Sequence, residues 1–273
     1  MRQLLDGALG CWTARPATAS RGAADLPAAA IDLHAAYLRA GASLVRSATF
    51  TVTHRLAHGG SEEETRTRLL AGLGAIAEAE ARTGVVATRQ LLSIGPSGLP
   101  ATAEREARAV YARLASVLPV VQAELRAAGR SFTLLLESFR AWREVELALE
   151  SFGGGEAWLF LAPREGGGLA DLDLGAAATR ARGAIHTLGL GCHDEGTSVA
   201  PALRALEEQF DGPLAVSLPA FGNGAEWAAA TWRLARDVPR VLALGGCCGT
   251  GPGHIAALRD LALAGIEEER RAT

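Results

Sequence analysis

The chain has 273 residues, a formal charge of -3, 49% hydrophobic residues and four cysteines, enough length to close one full-sized barrel core. All 27 basic residues are arginines, which excludes Schiff-base chemistry on a lysine, and their scatter forms no basic stripe for nucleic acid. Four cysteines are too few for a secreted disulfide scaffold, no secretory leader is evident and no apolar run reaches the ~20 residues of a membrane span, so a soluble cytoplasmic protein is expected.

Short apolar or β-branched runs alternate with longer amphipathic ones from the start. The predicted strands are Gln3 to Asp6, Ser43 to Thr49, Val85 to Ser93, Ser131 to Glu137, Ala157 to Leu161, Ala184 to Leu190, Pro213 to Ser217 and Val241 to Gly245. Helical periodicity follows each in turn: Ala28 to Ala40, Glu62 to Thr83, Thr102 to Ala128, Trp142 to Ser151, Asp171 to Arg182, Ser198 to Phe210, Glu226 to Arg236 and His254 to Ala264. Eight strand-helix pairs predict an α/β fold, a single (β/α)8 TIM barrel spanning residues 1–273 as one domain. A doubly wound open sheet would show the same alternation, but no GxGxxG follows the first strand. The placement of unusual residues favours the barrel: Asp6, Thr49, Glu137, Cys192, Cys247 and Cys248 all fall at predicted C-terminal strand ends, the face on which barrel active sites are built. Gly153 to Gly155 and Gly166 to Gly168 read as loops, since neither run precedes the Lys-Ser/Thr pair of a phosphate cradle.

Cys247 and Cys248 are adjacent within Gly245-Gly246-Cys247-Cys248-Gly249-Thr250, where glycines permit a sharp turn. They read as metal ligands or as a reactive thiol pair, and Cys192, at the end of another predicted strand, supplies a third thiol. Three thiolates suit Zn2+ with a fourth position open to substrate. So thiolate-rich a site is a weak Lewis acid for hydrolysis but holds a substrate sulfur well, because a coordinating thiol loses its proton. The competing reading is an inert set of buried cysteines. Asp6 could equally cap a turn, whereas Glu137 closes an apolar strand where an unpaired carboxylate would be costly. His193, in a loop beside Cys192, is left outside the core site. Trp12, Trp227, Trp232 and Phe221 are either core residues or the walls of a cation-π pocket for a cationic donor.

These motifs resemble the homocysteine S-methyltransferases over nearly the whole chain. Asp6-Gly7-Ala8-Leu9-Gly10 is similar to the family's DGAMG opening, Ser47-Ala48-Thr49-Phe50 to TNTF and Ser93 to Gly98 to SIGPYG. Glu137-Ser138 resembles its Glu-Thr pair, Gly189-Leu190-Gly191-Cys192 its GxNC, and Gly245 to Thr250 with Pro252, His254 and Ile255 its GGCCGTTPEHI. The resemblance implies that Cys192, Cys247 and Cys248 hold Zn2+, that homocysteine sulfur completes the tetrahedron, and that Asp6 and Glu137 bind the substrate ammonium. The backbone of Gly7 and Ala8 would receive the carboxylate, with Thr49 lining the same rim. The implied reaction carries a methyl group from a small sulfonium or ammonium donor, S-methylmethionine or S-adenosylmethionine first among them, to homocysteine, giving methionine. Ala48 and Gly191 stand where the family carries Asn, and the segment from Pro219 to Gly245 is short. Those departures keep open another thiol or selenol acceptor, a specialised donor, or a non-catalytic thiol-binding partner subunit. The expected partners are thus small molecules, with neither nucleic acid nor membrane, and an oligomer is possible.

Overall fold

The computed structural model describes residues 4–7, 25–164, 168–191 and 199–272. Its strands are β1 (Leu4–Gly7), β2 (Leu44–Arg46), β3 (Arg89–Ile94), β4 (Thr133–Phe139), β5 (Trp158–Leu161), β6 (Thr187–Gly191), β7 (Leu214–Leu218) and β8 (Val241–Gly246). Each is parallel to the next, and β1 pairs with β8, so the sheet closes into a barrel in sequence order. The helices are α1 (Asp25–Arg39), α2 (Val52–Ala57), α3 (Glu62–Thr83), α4 (Glu104–Ala127), α5 (Trp142–Phe152), α6 (Leu174–Ala181), α7 (Val199–Gln209), α8 (Gly224–Asp237) and α9 (Pro252–Ala272). Among the described residues, no helix is long and apolar enough to cross a membrane.

Local chemistry explains the best-defined boundaries. The Ser61 side chain accepts a hydrogen bond from the Glu64 amide at the start of α3, three glutamates fill the first turn, and Gly84 ends the helix at φ 69°. That combination satisfies orphan donors, complements the helix dipole and terminates in the left-handed conformation glycine tolerates. Asn223 and Glu226 form a capping box at α8. Helix α2 was not expected: six residues are too few to show a period, and its buried Val52, Thr53 and Leu56 are recruited by packing. Strand β2 is shorter than expected, ending at Arg46, and β3 starts at Arg89 rather than Val85.

Strand residues alternate between two cores. Leu44, Leu91, Leu135, Trp158, Phe160, Ala215 and Ala243 fill the barrel interior. Their neighbours, including Val45, Leu92, Leu136, Leu159, Leu188, Val216 and Leu244, pack outward with the helix layer. Two residues beyond the interior leucines of β2, β3 and β4, toward the C-terminal mouth, stand Arg46, Ser93 and Glu137. The apolar interior is therefore capped by a buried polar layer.

Candidate active site at the barrel mouth

The loop after β8 is tightly pinned. Cys247 N donates to Leu218 O at 2.9 Å and Ala220 N donates to Cys248 O at 2.8 Å, tying both cysteines to the end of β7. Thr250 bonds back onto Cys247 O through its amide (3.1 Å) and its Oγ1 (2.7 Å), while Tyr37 Oη donates to Thr250 O at 2.9 Å. Two glycines make this possible. A Cβ on Gly246 would lie 2.5 Å from Thr250 Cβ, and Gly249 has φ +78°. The result is a buried Cys247 beside an exposed Cys248.

Register brings the other motif ends to the same level. Gly191 pairs with Ser217, Ser217 with Gly245, and Gly245 with Asp6, so the last turns of β6, β7, β8 and β1 lie side by side. Cys192 and Ala8 lie outside the described residues, each the next residue in the chain after the end of β6 and of β1. Among the described residues no group of three metal-ligating side chains occurs, as follows when one cysteine of the trio is outside them. Ser217 Oγ is buried and has no hydrogen-bond partner among the described residues. Buried hydroxyls are ordinarily bonded, so an orphan between the two cysteine-bearing strand ends fits a site built for a ligand. Two cysteines follow β8 and a third is the next residue in the chain after β6, one strand removed across β7, a donor set that would suit a thiophilic metal.

Glu137 and Thr49, two of the other expected site residues, have defined surroundings. Glu137 lies inside β4 rather than at its end, because the strand runs on to Phe139 through an irregularity at which Ser138 takes φ 67°. Its carboxylate is buried and already engaged: Oε2 accepts from Arg46 Nη1 at 2.8 Å, and Oε1 is held by Ser93 Oγ. Arg46 is 3% exposed, and its guanidinium stands 4.7 Å from the centroid of the Phe160 ring. Arg46 was missed at the sequence level; the only available signal was a charge in an otherwise apolar strand.

Thr49 is engaged in bracing contacts. It lies three residues past β2, its Oγ1 donates to Ser93 O at 2.7 Å and meets Ser47 Oγ at 2.6 Å, and its methyl group packs where a Cβ on Gly72 of α3 would fall. Ser47 Oγ in turn accepts from Ser93 N at 3.1 Å, so these hydroxyls brace β2 against β3. Gly191 has a spatial reason as well. A Cβ there would lie 3.3 Å from Phe160 Cδ2, and one on Gly189 only 2.7 Å from the same ring. Phe160 thus fills the volume that side chains on β6 would otherwise take. Of the aromatic candidates, Trp227 is completely buried, with Nε1 donating to Pro219 O, and Trp232 packs against the core, so both are structural. Phe221 is exposed, and Trp12 lies outside the described residues.

With this geometry in place, comparison with known proteins defines the class. The homocysteine S-methyltransferase family model matches residues 3–262, and the chain belongs to that family of enzymes. The fold is similar to that of the homocysteine methyltransferase MmuM from Escherichia coli: TM-score 0.71 at 18% identity for its metallated form and 0.73 at 21% for its oxidized form, each alignment covering 96% of both chains. No curated protein sequence matches the chain.

Proposed function

We propose that the protein is a zinc-dependent S-methyltransferase that moves a methyl group from a small onium donor, S-methylmethionine or S-adenosylmethionine, to the sulfur of homocysteine, giving methionine. The observation that carries this reading is the pinned Cys247-Cys248 turn at the C-terminal mouth, level with the strand that leads into Cys192. Cys192, Cys247 and Cys248 would hold the metal. Zn2+ there supplies acidity, so that a thiol joining it is deprotonated at neutral pH.

The chain's own residues then orient and exclude. Thr250 and Tyr37 fix the thiol-bearing turn, which keeps the sulfur ligands from rearranging. The packed barrel interior closes the site from below. An onium donor leaves as a neutral molecule, so the barrier falls chiefly by holding sulfur, methyl and leaving atom in line. Purified protein should carry about one zinc per chain by elemental mass spectrometry and form methionine from homocysteine and at least one of these donors. Cys248→Ala should lose both. Metal-free protein of full activity, or an active Cys248→Ala, refutes the assignment.

A further inference from the structure

Of the two carboxylates that the family resemblance assigns to the acceptor's ammonium, Asp6 and Glu137, the second already has a cation. Glu137 Oε2 is ion-paired to Arg46 Nη1 at 2.8 Å, with side-chain exposures of 8% and 3%, and Oε1 is taken by Ser93 Oγ. The guanidinium is fixed from its other side as well, by the Phe160 ring at 4.7 Å. Phe160 has its own seat because β6 offers only Gly189 and Gly191 beneath the ring. A continuous row crosses the barrel floor, from the glycines of β6 through Phe160 and Arg46 to Glu137 and Ser93. The glycines leave room for the Phe160 ring, and Arg46 bridges that ring to Glu137.

We propose that Arg46 is a specificity-determining residue that occupies the counter-cation position at Glu137 and thereby removes most of the enzyme's discrimination in favour of acceptor thiols bearing an ammonium group. This rests on the methyl-transfer reading and sharpens its acceptor class to short-chain thiols with or without an amino group. The physical basis is charge. An ammonium approaching Glu137 meets a guanidinium already bonded to the same carboxylate, in a buried setting where like charges are weakly screened. A site built to hydrogen-bond a substrate N-H normally rejects the analogue lacking it by ~10^4-fold, because its buried acceptor is left unpaired. Here Arg46 and Ser93 satisfy that acceptor whether or not an ammonium is present.

The decisive comparison is homocysteine against 4-mercaptobutanoate, which has the same chain, thiol and carboxylate but no amino group. With zinc-loaded enzyme, Kd by calorimetry and kcat/KM should favour homocysteine by less than about tenfold. Arg46→Gln should raise that ratio at least tenfold, and Arg46→Lys should leave it near the wild-type value. A wild-type preference above about 1,000-fold, or a ratio unmoved in a folded Arg46→Gln protein, overturns the proposal. The wild-type ratio decides the matter even if Arg46→Gln fails to fold. Binding of both thiols without turnover with any onium donor would instead refute the methyl-transfer reading, while the two Kd values still test the role of Arg46.

Discussion

Replacing Gly246 by Ala should break the turn that presents the cysteines. The added Cβ would lie 2.5 Å from Thr250 Cβ and 2.6 Å from Thr250 Cγ2, and nearer still to Thr250 Oγ1. These atoms cannot yield freely, because Thr250 is tethered to Cys247 O through its amide and Oγ1, and to Tyr37 through its carbonyl. Overpacking of this kind costs about 1–3 kcal/mol, and loss of the Thr250 Oγ1 bond adds about 1 kcal/mol. A loss of roughly 2–4 kcal/mol corresponds to a fall in Tm of about 4–8 °C for a chain of this size. Thermal unfolding followed by circular dichroism measures the first effect, and zinc content after dialysis measures the second, which should drop because both cysteines move with the turn. Gly251→Ala is the matched control: among the described residues no atom beyond its chain neighbours lies within 4 Å of its would-be Cβ, and its φ is outside the left-handed range. A Gly246→Ala protein that keeps its Tm within about 1 °C of wild type, with full zinc, would refute the account of the turn.

Two further outcomes follow from groups buried without partners. Both ring nitrogens of His34 lack partners among the described residues, and burial lowers its pKa from 6.5 to about 4. The folded state therefore keeps His34 neutral while the unfolded chain takes up a proton below pH 6.5. The stabilisation is complete above pH 6.5 and is lost as pH falls toward 4, amounting to about 2 kcal/mol by pH 5. Urea unfolding at pH 7 and pH 5 should show His34→Leu losing about 2 kcal/mol less than wild type between the two, and equal losses would refute the burial argument. Ser217→Ala removes a hydroxyl with no partner among the described residues, so metal-free protein should be unchanged or up to about 1 kcal/mol more stable. A clear destabilisation of that form, by the same urea assay, would show that the hydroxyl has a protein partner after all.

The sequence by itself determined the alternation of strands and helices, because a closed parallel sheet buries both faces of each strand and gives each helix one apolar stripe, patterns that need no neighbour to be visible. It also marked the ends of α3, where Ser61 and Gly84 act through bonds within the same few residues, and it picked out the Cys247-Cys248 turn by its unusual composition. Short α2 was not legible, since six residues carry no period and tertiary packing holds them. Neither was the state of the site. Arg46 and Glu137 are 91 residues apart, and nothing local to either predicts that barrel closure presses one against the other. The packing of the Thr49 methyl group against Gly72 of α3 was not legible either, since it depends on where β2 ends and on a helix distant in sequence. Gly191 looked like a lost polar contact, whereas the structure shows the Phe160 ring lying against it. Which side chains share the barrel floor depends on strand register and shear, and those are fixed only when the eighth strand meets the first.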